Sequence, residues 1–199
     1  MIGRVIRAQM EMKKQNEAPK PPVTASVIAV IIGLFSFVQE LSAQTRAASA
    51  ASYIERGVKF HRQGNLDRAF ADYDTALRLK PGLAKVFYNR GNLRFMQSDL
   101  DGALADFNEA IRYDRRYAKA YNNRGITRQE RGDLGGAISD FGRAIAVNSR
   151  HAEAYANRGI ALLIMGRQTE AQRDLSKSLD LKPALRGYIQ RRSAANLTP

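Results

Sequence analysis

A chain of 199 residues with 44% hydrophobic and 8% aromatic side chains has the make-up of a folded protein, not of a disordered or collagen-like one. It contains no cysteine, which excludes disulfides, thiolate metal sites, a cysteine nucleophile and a lipid-modified N-terminal cysteine. A formal net charge of +13 favours acidic partners or anionic surfaces, and most of that excess lies beyond residue 43.

Residues 1–22 are polar and carry Arg4, Arg7, Lys13, Lys14 and Lys20, after which Val23 to Val38 runs without a charge. A helix needs about 20 apolar residues to cross a bilayer, so this run is short for a permanent span. Its centre, Val27 to Val38, has the length of the apolar region of an export signal, and Leu41-Ser42-Ala43 follows it. Two readings of residues 1–43 stand: a signal peptide cut after Ala43, or an uncleaved N-terminal membrane anchor. A start at Met10 or Met12 would shorten the leader. Under the positive-inside rule both readings keep the basic flank in the cytoplasm and put the rest in the periplasm or outside the cell. Residues 44–49 are expected to be a linker.

From residue 50 the chain repeats. Tyr53-Ile54-Glu55-Arg56-Gly57, Phe87-Tyr88-Asn89-Arg90-Gly91, Tyr121-Asn122-Asn123-Arg124-Gly125 and Tyr155-Ala156-Asn157-Arg158-Gly159 follow one another at 34-residue intervals, giving units 50–83, 84–117, 118–151 and 152–185. Such a period is the mark of a stacked repeat array. Within the third unit Leu134, Ala137, Ile138, Phe141, Ala144 and Ile145 follow helical spacing, and each unit divides into two helices of about 14 residues. Gly64-Asn65, Ser98-Asp99 and Gly132-Asp133 each pair a helix terminator with a capping side chain, whereas Gly166 is followed by Arg167, a weaker cap. Gly57, Gly91, Gly125 and Gly159 in the first helices, with Ala69, Ala103, Ala137 and Ala171 in the second, stand where two axes must approach closely. Tyr73, Phe107, Phe141 and Leu175 fill the space between units. Gly135, Gly136 and Gly142 in one helix should make the second helix of the third unit the soft spot of the array.

Aromatic, Gly, Ala, aromatic, Ala at positions 4, 8, 20, 24 and 27 of a 34-residue unit resembles the tetratricopeptide repeat, and the match covers residues 50–185. The chain departs from that pattern in having Tyr or Phe for Trp at position 4, Arg for Leu at position 7, and Arg94 and Arg128 where an apolar residue is usual. The resemblance implies an all-α fold, a right-handed α-solenoid of antiparallel helix pairs (a TPR superhelix). It also implies a C-terminal capping helix over 186–199, with Leu185, Tyr188, Ile189 and Arg192 on its packed side.

Arg56, Arg90, Arg124 and Arg158 are each followed after 16 residues by an acid, Asp72, Asp106, Asp140 and Asp174. These are expected to be structural ion pairs between the two helices of a unit, because a planar guanidinium suits a packed carboxylate better than an ammonium does. By the resemblance, positions 2, 5, 9, 12 and 13 of the first helices line a concave peptide-binding groove, which gives Lys85, Tyr88, Asn92, Phe95 and Met96, then Lys119, Asn122, Ile126 and Gln129. Position 6 adds Asn89, Asn123 and Asn157 at the edge. Asn can hold an extended backbone and Lys attracts a carboxylate. A clamp for the acidic C-terminus of cytosolic chaperones is matched at Asn92 and Asn123 but interrupted by Tyr88, Glu153 and Asn157. Ile160, Leu163 and Ile164 form an apolar strip to be covered by the terminal helix or a partner.

His61 and His151 are the only histidines, lie on different units and are expected at the surface. No glycine-rich phosphate loop and no metal-ligand cluster is present in the sequence, so no catalytic residue, metal or cofactor is expected. The sequence therefore points to a non-catalytic protein–protein interaction scaffold in a bacterial cell envelope. Its partner would be a protein or peptide, with an acidic segment, and not nucleic acid. The alternative is a basic surface for anionic lipid or nucleic acid, which lacks stacking aromatics on a basic stripe.

Overall fold

The computed structural model describes Met10 and residues 25–197, so the basic leader lies outside the described residues. The helices are α1 (Ala25–Arg62), α2 (Leu66–Leu79), α3 (Ala84–Met96), α4 (Leu100–Tyr113), α5 (Ala118–Glu130), α6 (Leu134–Val147), α7 (Ala152–Ile164), α8 (Gln168–Leu181) and α9 (Arg186–Leu197), with a 3₁₀ turn at Pro183–Leu185. Two compact units divide the chain, 1–45 and 46–199. In the first, the side chains from Val27 to Val38 are exposed, and α1 is long and apolar enough to cross a membrane. Residues 44–49 are helical, within α1.

In the second unit α3 pairs with α4, α5 with α6 and α7 with α8, each pair also packing on the next, as an α-solenoid does. Close approach of the helices in a pair rests on the missing side chain of one glycine. A Cβ on Gly125 would sit 2.6 Å from Phe141 Cε1, one on Gly91 2.9 Å from Phe107 Cε1 and one on Gly57 2.8 Å from Tyr73 Cε1. Those rings, with Ala69, Ala103, Ala137 and Ala171 beside them, are buried. Larger residues there would force off-rotamer packing, costing about 1–3 kcal/mol each.

The turns inside the pairs follow one design. Gly64, Gly132 and Gly166 take the left-handed conformation that glycine permits, and Ser98 takes it too, at φ 64°. The next residue caps the following helix: Asn65 accepts from the Arg68 N–H, Asp99 from Gly102 at 2.9 Å and Asp133 from Gly136 at 2.8 Å. Arg167 makes no side-chain cap.

At the C-terminal end Leu185 and Ile189 are buried against Ala152 and Ala156, with Leu175, Leu179, Leu181 and Tyr188 around them. Ile160 is buried, and Leu163 and Ile164 are half-buried.

Candidate functional site

Two polar lattices run through the array, on neighbouring positions of the first helices. The arginine of each repeated pentapeptide donates from Nε and Nη2 to both oxygens of the acid 16 residues on. The bonds are 2.7 and 2.6 Å for Arg56–Asp72, 3.0 and 2.7 Å for Arg90–Asp106, 2.8 and 2.5 Å for Arg124–Asp140, and 2.6 and 2.8 Å for Arg158–Asp174. A fork meeting a carboxylate in this way satisfies donor and acceptor together, which a buried Asp requires. The guanidinium also lies over the aromatic ring three residues earlier, 4.8 Å from the Tyr53 centroid for Arg56 and 5.5 Å from Tyr121 for Arg124. Hydrogen bonding to Asp174 holds Arg158 above the ordinary arginine pKa.

Sequence reasoning missed two further members of this lattice. Arg94 and Arg128 reach Asp106 Oδ2 and Asp140 Oδ2, each at 2.8 Å, so these two acids each hold a pair of cations. The signal was available, since Arg94 and Arg128 stand four residues after Arg90 and Arg124 and share their helical face. In addition Arg90 donates to Asp74 at 3.1 Å and Arg124 to Asn108 at 2.7 Å, tying each unit to the one before.

The second lattice is a ladder of amides. Tyr188 O–H donates to Asn157 Oδ1 at 2.6 Å, Asn157 Nδ2 to Asn122 Oδ1 at 3.0 Å, and Asn122 Nδ2 to Asn123 Oδ1 at 3.0 Å. Asn123 Nδ2 then donates to Asn92 Oδ1 at 2.8 Å and to Tyr88 Oη at 3.2 Å. The ladder crosses α9, α7, α5 and α3. It stops at the second unit because the first has Ile54 and Val58 where Tyr88 and Asn92 stand. This changes the reading of two groove candidates. Asn122 and Asn157, expected to meet a ligand, are each 5% exposed and spend their amides on one another and on the terminal helix. Buried amides bond internally because an unmet donor there costs about 1–3 kcal/mol.

What remains open on this face is concentrated on α3 and α5. Lys85, Lys119 and Met96 are exposed, and Tyr88, Asn89, Asn92, Phe95, Asn123, Ile126 and Gln129 are half-buried. Asn92, Phe95, Phe107, Asn123 and Ile126 enclose a small apolar cleft of about 50 Å³. The Tyr88 ring packs 5.0 Å from Tyr117 and 6.1 Å from Phe107, which fixes one wall of the face. Burial pushes the Tyr117 hydroxyl up to about 12.

The surroundings of His151 depart from expectation. His151 is not at the surface: its side chain is 11% exposed, with Nδ1 3.3 Å from Glu153 Oε2. Glu153 is also bonded to Lys182 at 2.6 Å, which lowers its pKa. Burial holds the imidazole below its ordinary value, opposed by Glu153 and reinforced by Lys119 and Lys182. Among the described residues no three His, Asp or Glu are grouped so as to hold a metal ion.

These features are carried on a helix-pair repeat that sequence profiles recognise. A profile of the TPR repeat matches residues 57–98 and 91–132, and a second, of the tetratricopeptide repeat, matches 123–184. The chain belongs to the tetratricopeptide-repeat (TPR) family. No curated protein matches it in sequence. Solved TPR structures share the fold. MamA is 22% identical over 74% of this chain and 80% of its own, with a TM-score of 0.63. YrrB, described as a TPR protein with an unusual peptide-binding site, is 21% identical over 80% of this chain and 81% of its own, with a TM-score of 0.63. The first TPR domain of Spaghetti (RPAP3), bound to an HSP90 peptide, is 25% identical over 65% of this chain and 95% of its own, with a TM-score of 0.54. A TPR array of this kind supports protein–protein interaction, and TPR proteins are generally non-catalytic scaffolds.

Proposed function

We propose that the chain is a non-catalytic scaffold, exported to the bacterial cell envelope, which binds a peptide or protein segment across α3 and α5. The observation that carries this reading is the open face itself. Exposed Lys85 and Lys119 accompany an apolar cleft whose bordering amides, Asn92 and Asn123, are held by the ladder behind them. An amide whose rotamer is already fixed loses little entropy on meeting a peptide backbone. The lysines steer an acidic segment towards the face, and the cleft receives a small apolar side chain. At about 50 Å³ it holds little more than a methyl-sized group. Peptide binding by YrrB and by the Spaghetti domain supports this use of the fold.

Export rests on the exposed apolar stretch Val27–Val38 near the start, read as a signal or as an uncleaved anchor. Electrostatic capture of anionic lipid or nucleic acid draws less support, since Arg90 and Arg124 are committed to acceptors on all three nitrogens. The test is recovery of partners from an envelope fraction with the wild-type chain and with a Lys85→Glu/Lys119→Glu variant. The account expects the variant to lose the proteins that the wild type retains. Identical recovery would overturn it.

A further inference from the structure

The array contains its own control for an arginine that is left incomplete. Arg90 Nη1 donates to Asp74 and Arg124 Nη1 to Asn108, and both acceptors lie 16 residues earlier, on the second helix of the preceding unit. For Arg158 the corresponding residue is Gly142. Arg158 keeps its two bonds to Asp174, while Nη1 makes no hydrogen bond among the described residues. A Cβ on Gly142 would stand 3.6 Å from that Nη1, so the gap is one short side chain wide. Nor does a second arginine cover Asp174, because Leu162 occupies the place of Arg94 and Arg128. The Arg158 side chain is 28% exposed, against 13% for Arg90 and 16% for Arg124.

An open cleft of about 320 Å³ lies at this point, lined by Arg158 and with Ile138 and Leu162 as its apolar lining. Glu170 and Asp174 line it too, against three cations: Arg167 is held by Glu170 at 2.7 Å, and Arg173, although attracted towards Glu170, makes no hydrogen bond or ion pair among the described residues, which leaves one positive charge in excess.

We propose that this cleft binds a carboxylate of a partner polypeptide. One oxygen accepts from Arg158 Nη1, in the position that Asp74 fills for Arg90, and Arg173 balances the carboxylate's charge, since Asp174 already offsets that of Arg158. A charge-assisted bond from a guanidinium already fixed by Asp174 needs little reorganisation. The site is separate from the amide face, none of whose asparagines lines the cleft. Its success or failure is therefore independent of the groove reading.

Citrate is the probe, added to the full chain in a mild non-ionic detergent at ionic strength matched with chloride. At about ten times its dissociation constant, citrate raises the wild-type melting temperature by roughly 3–6 °C. Gly142→Asn, which supplies the neutral acceptor that Asn108 gives Arg124, removes this shift. Gly142→Ala, which adds a Cβ but no acceptor, keeps it. Absence of a citrate shift in the wild type, or the same response in both variants, would overturn the proposal. Two blocked tripeptides then identify the source, one with its carboxylate only in a Glu side chain and one only at its C-terminus. Stabilisation by either supports the proposal, and stabilisation by neither contradicts it.

Discussion

At the scale of single residues the repeat exposes its own exceptions. Ser98 adopts a left-handed conformation where the other three units have glycine. That conformation is unfavourable for a residue with a Cβ, and relief of it is partly offset by the greater freedom of glycine in the unfolded chain. Ser98→Gly is therefore expected to raise stability by about 0.5–1 kcal/mol, read as a higher denaturation midpoint. A second exception is His151. Its pKa is lowered in the fold, so the unfolded chain binds the proton more tightly. The contribution to stability is complete above the unfolded value of 6.5 and is lost as pH falls below it, down to the folded pKa. Melting temperature should fall between about pH 7.5 and 5.5 in the wild type, and less so in His151→Asn. Equal pH profiles would remove His151 from the account. Sequence alone showed neither exception's consequence. The serine looked like any turn residue, and the burial of His151 depends on α7 packing beside Lys182 and Glu153, which no local pattern reports.

At the scale of elements, caps and close approaches were legible and partner exchange between units was not. Asn65, Asp99 and Asp133 cap as their places in the sequence predict, because a cap is a local event within four residues. The three glycines of α6, by contrast, are not equivalent. A Cβ on Gly135 meets nothing within 4 Å, whereas one on Gly136 would sit 2.1 Å from Asp133 Oδ2 and displace the cap. Gly135→Ala is expected to stabilise by about 0.8–1.0 kcal/mol, the helix-propensity difference. Gly136→Ala is expected to gain almost nothing, since loss of the cap costs about 1 kcal/mol. Chemical denaturation of the two variants checks this, and equal gains would mean that Asp133 does not cap α6 in solution. The ties from Arg90 to Asp74 and from Arg124 to Asn108 were hidden for a different reason. Their 16-residue spacing equals that of the pairs within a unit, so a sequence shows one interval for two kinds of bond.

At the scale of the whole molecule, the period of 34 residues made the fold legible before any contact was known. The candidate site was legible only in part. Position in the repeat pointed to a candidate face, but it could not tell an asparagine free to meet a partner from one consumed by the ladder. Asn122 and Asn157 belong to the second kind because Tyr188 on α9 reaches Asn157 and Asn157 on α7 reaches Asn122, each from another helix. The ladder joins α9 to α3 through continuous hydrogen bonds, so the open part of the face lies on α3 and α5, at Lys85, Tyr88, Asn89, Asn92, Phe95 and Met96 and at Lys119, Asn123, Ile126 and Gln129. The central claim is that the segment steered by Lys85 and Lys119 lies on this part of α3 and α5 and not on α4. A photoreactive amino acid placed in whole cells at Lys119, and separately at the exposed Arg112 on α4, measures it directly. The account predicts a discrete crosslinked partner from position 119 and none from position 112. The same adduct from both positions, or an adduct from 112 alone, would contradict it.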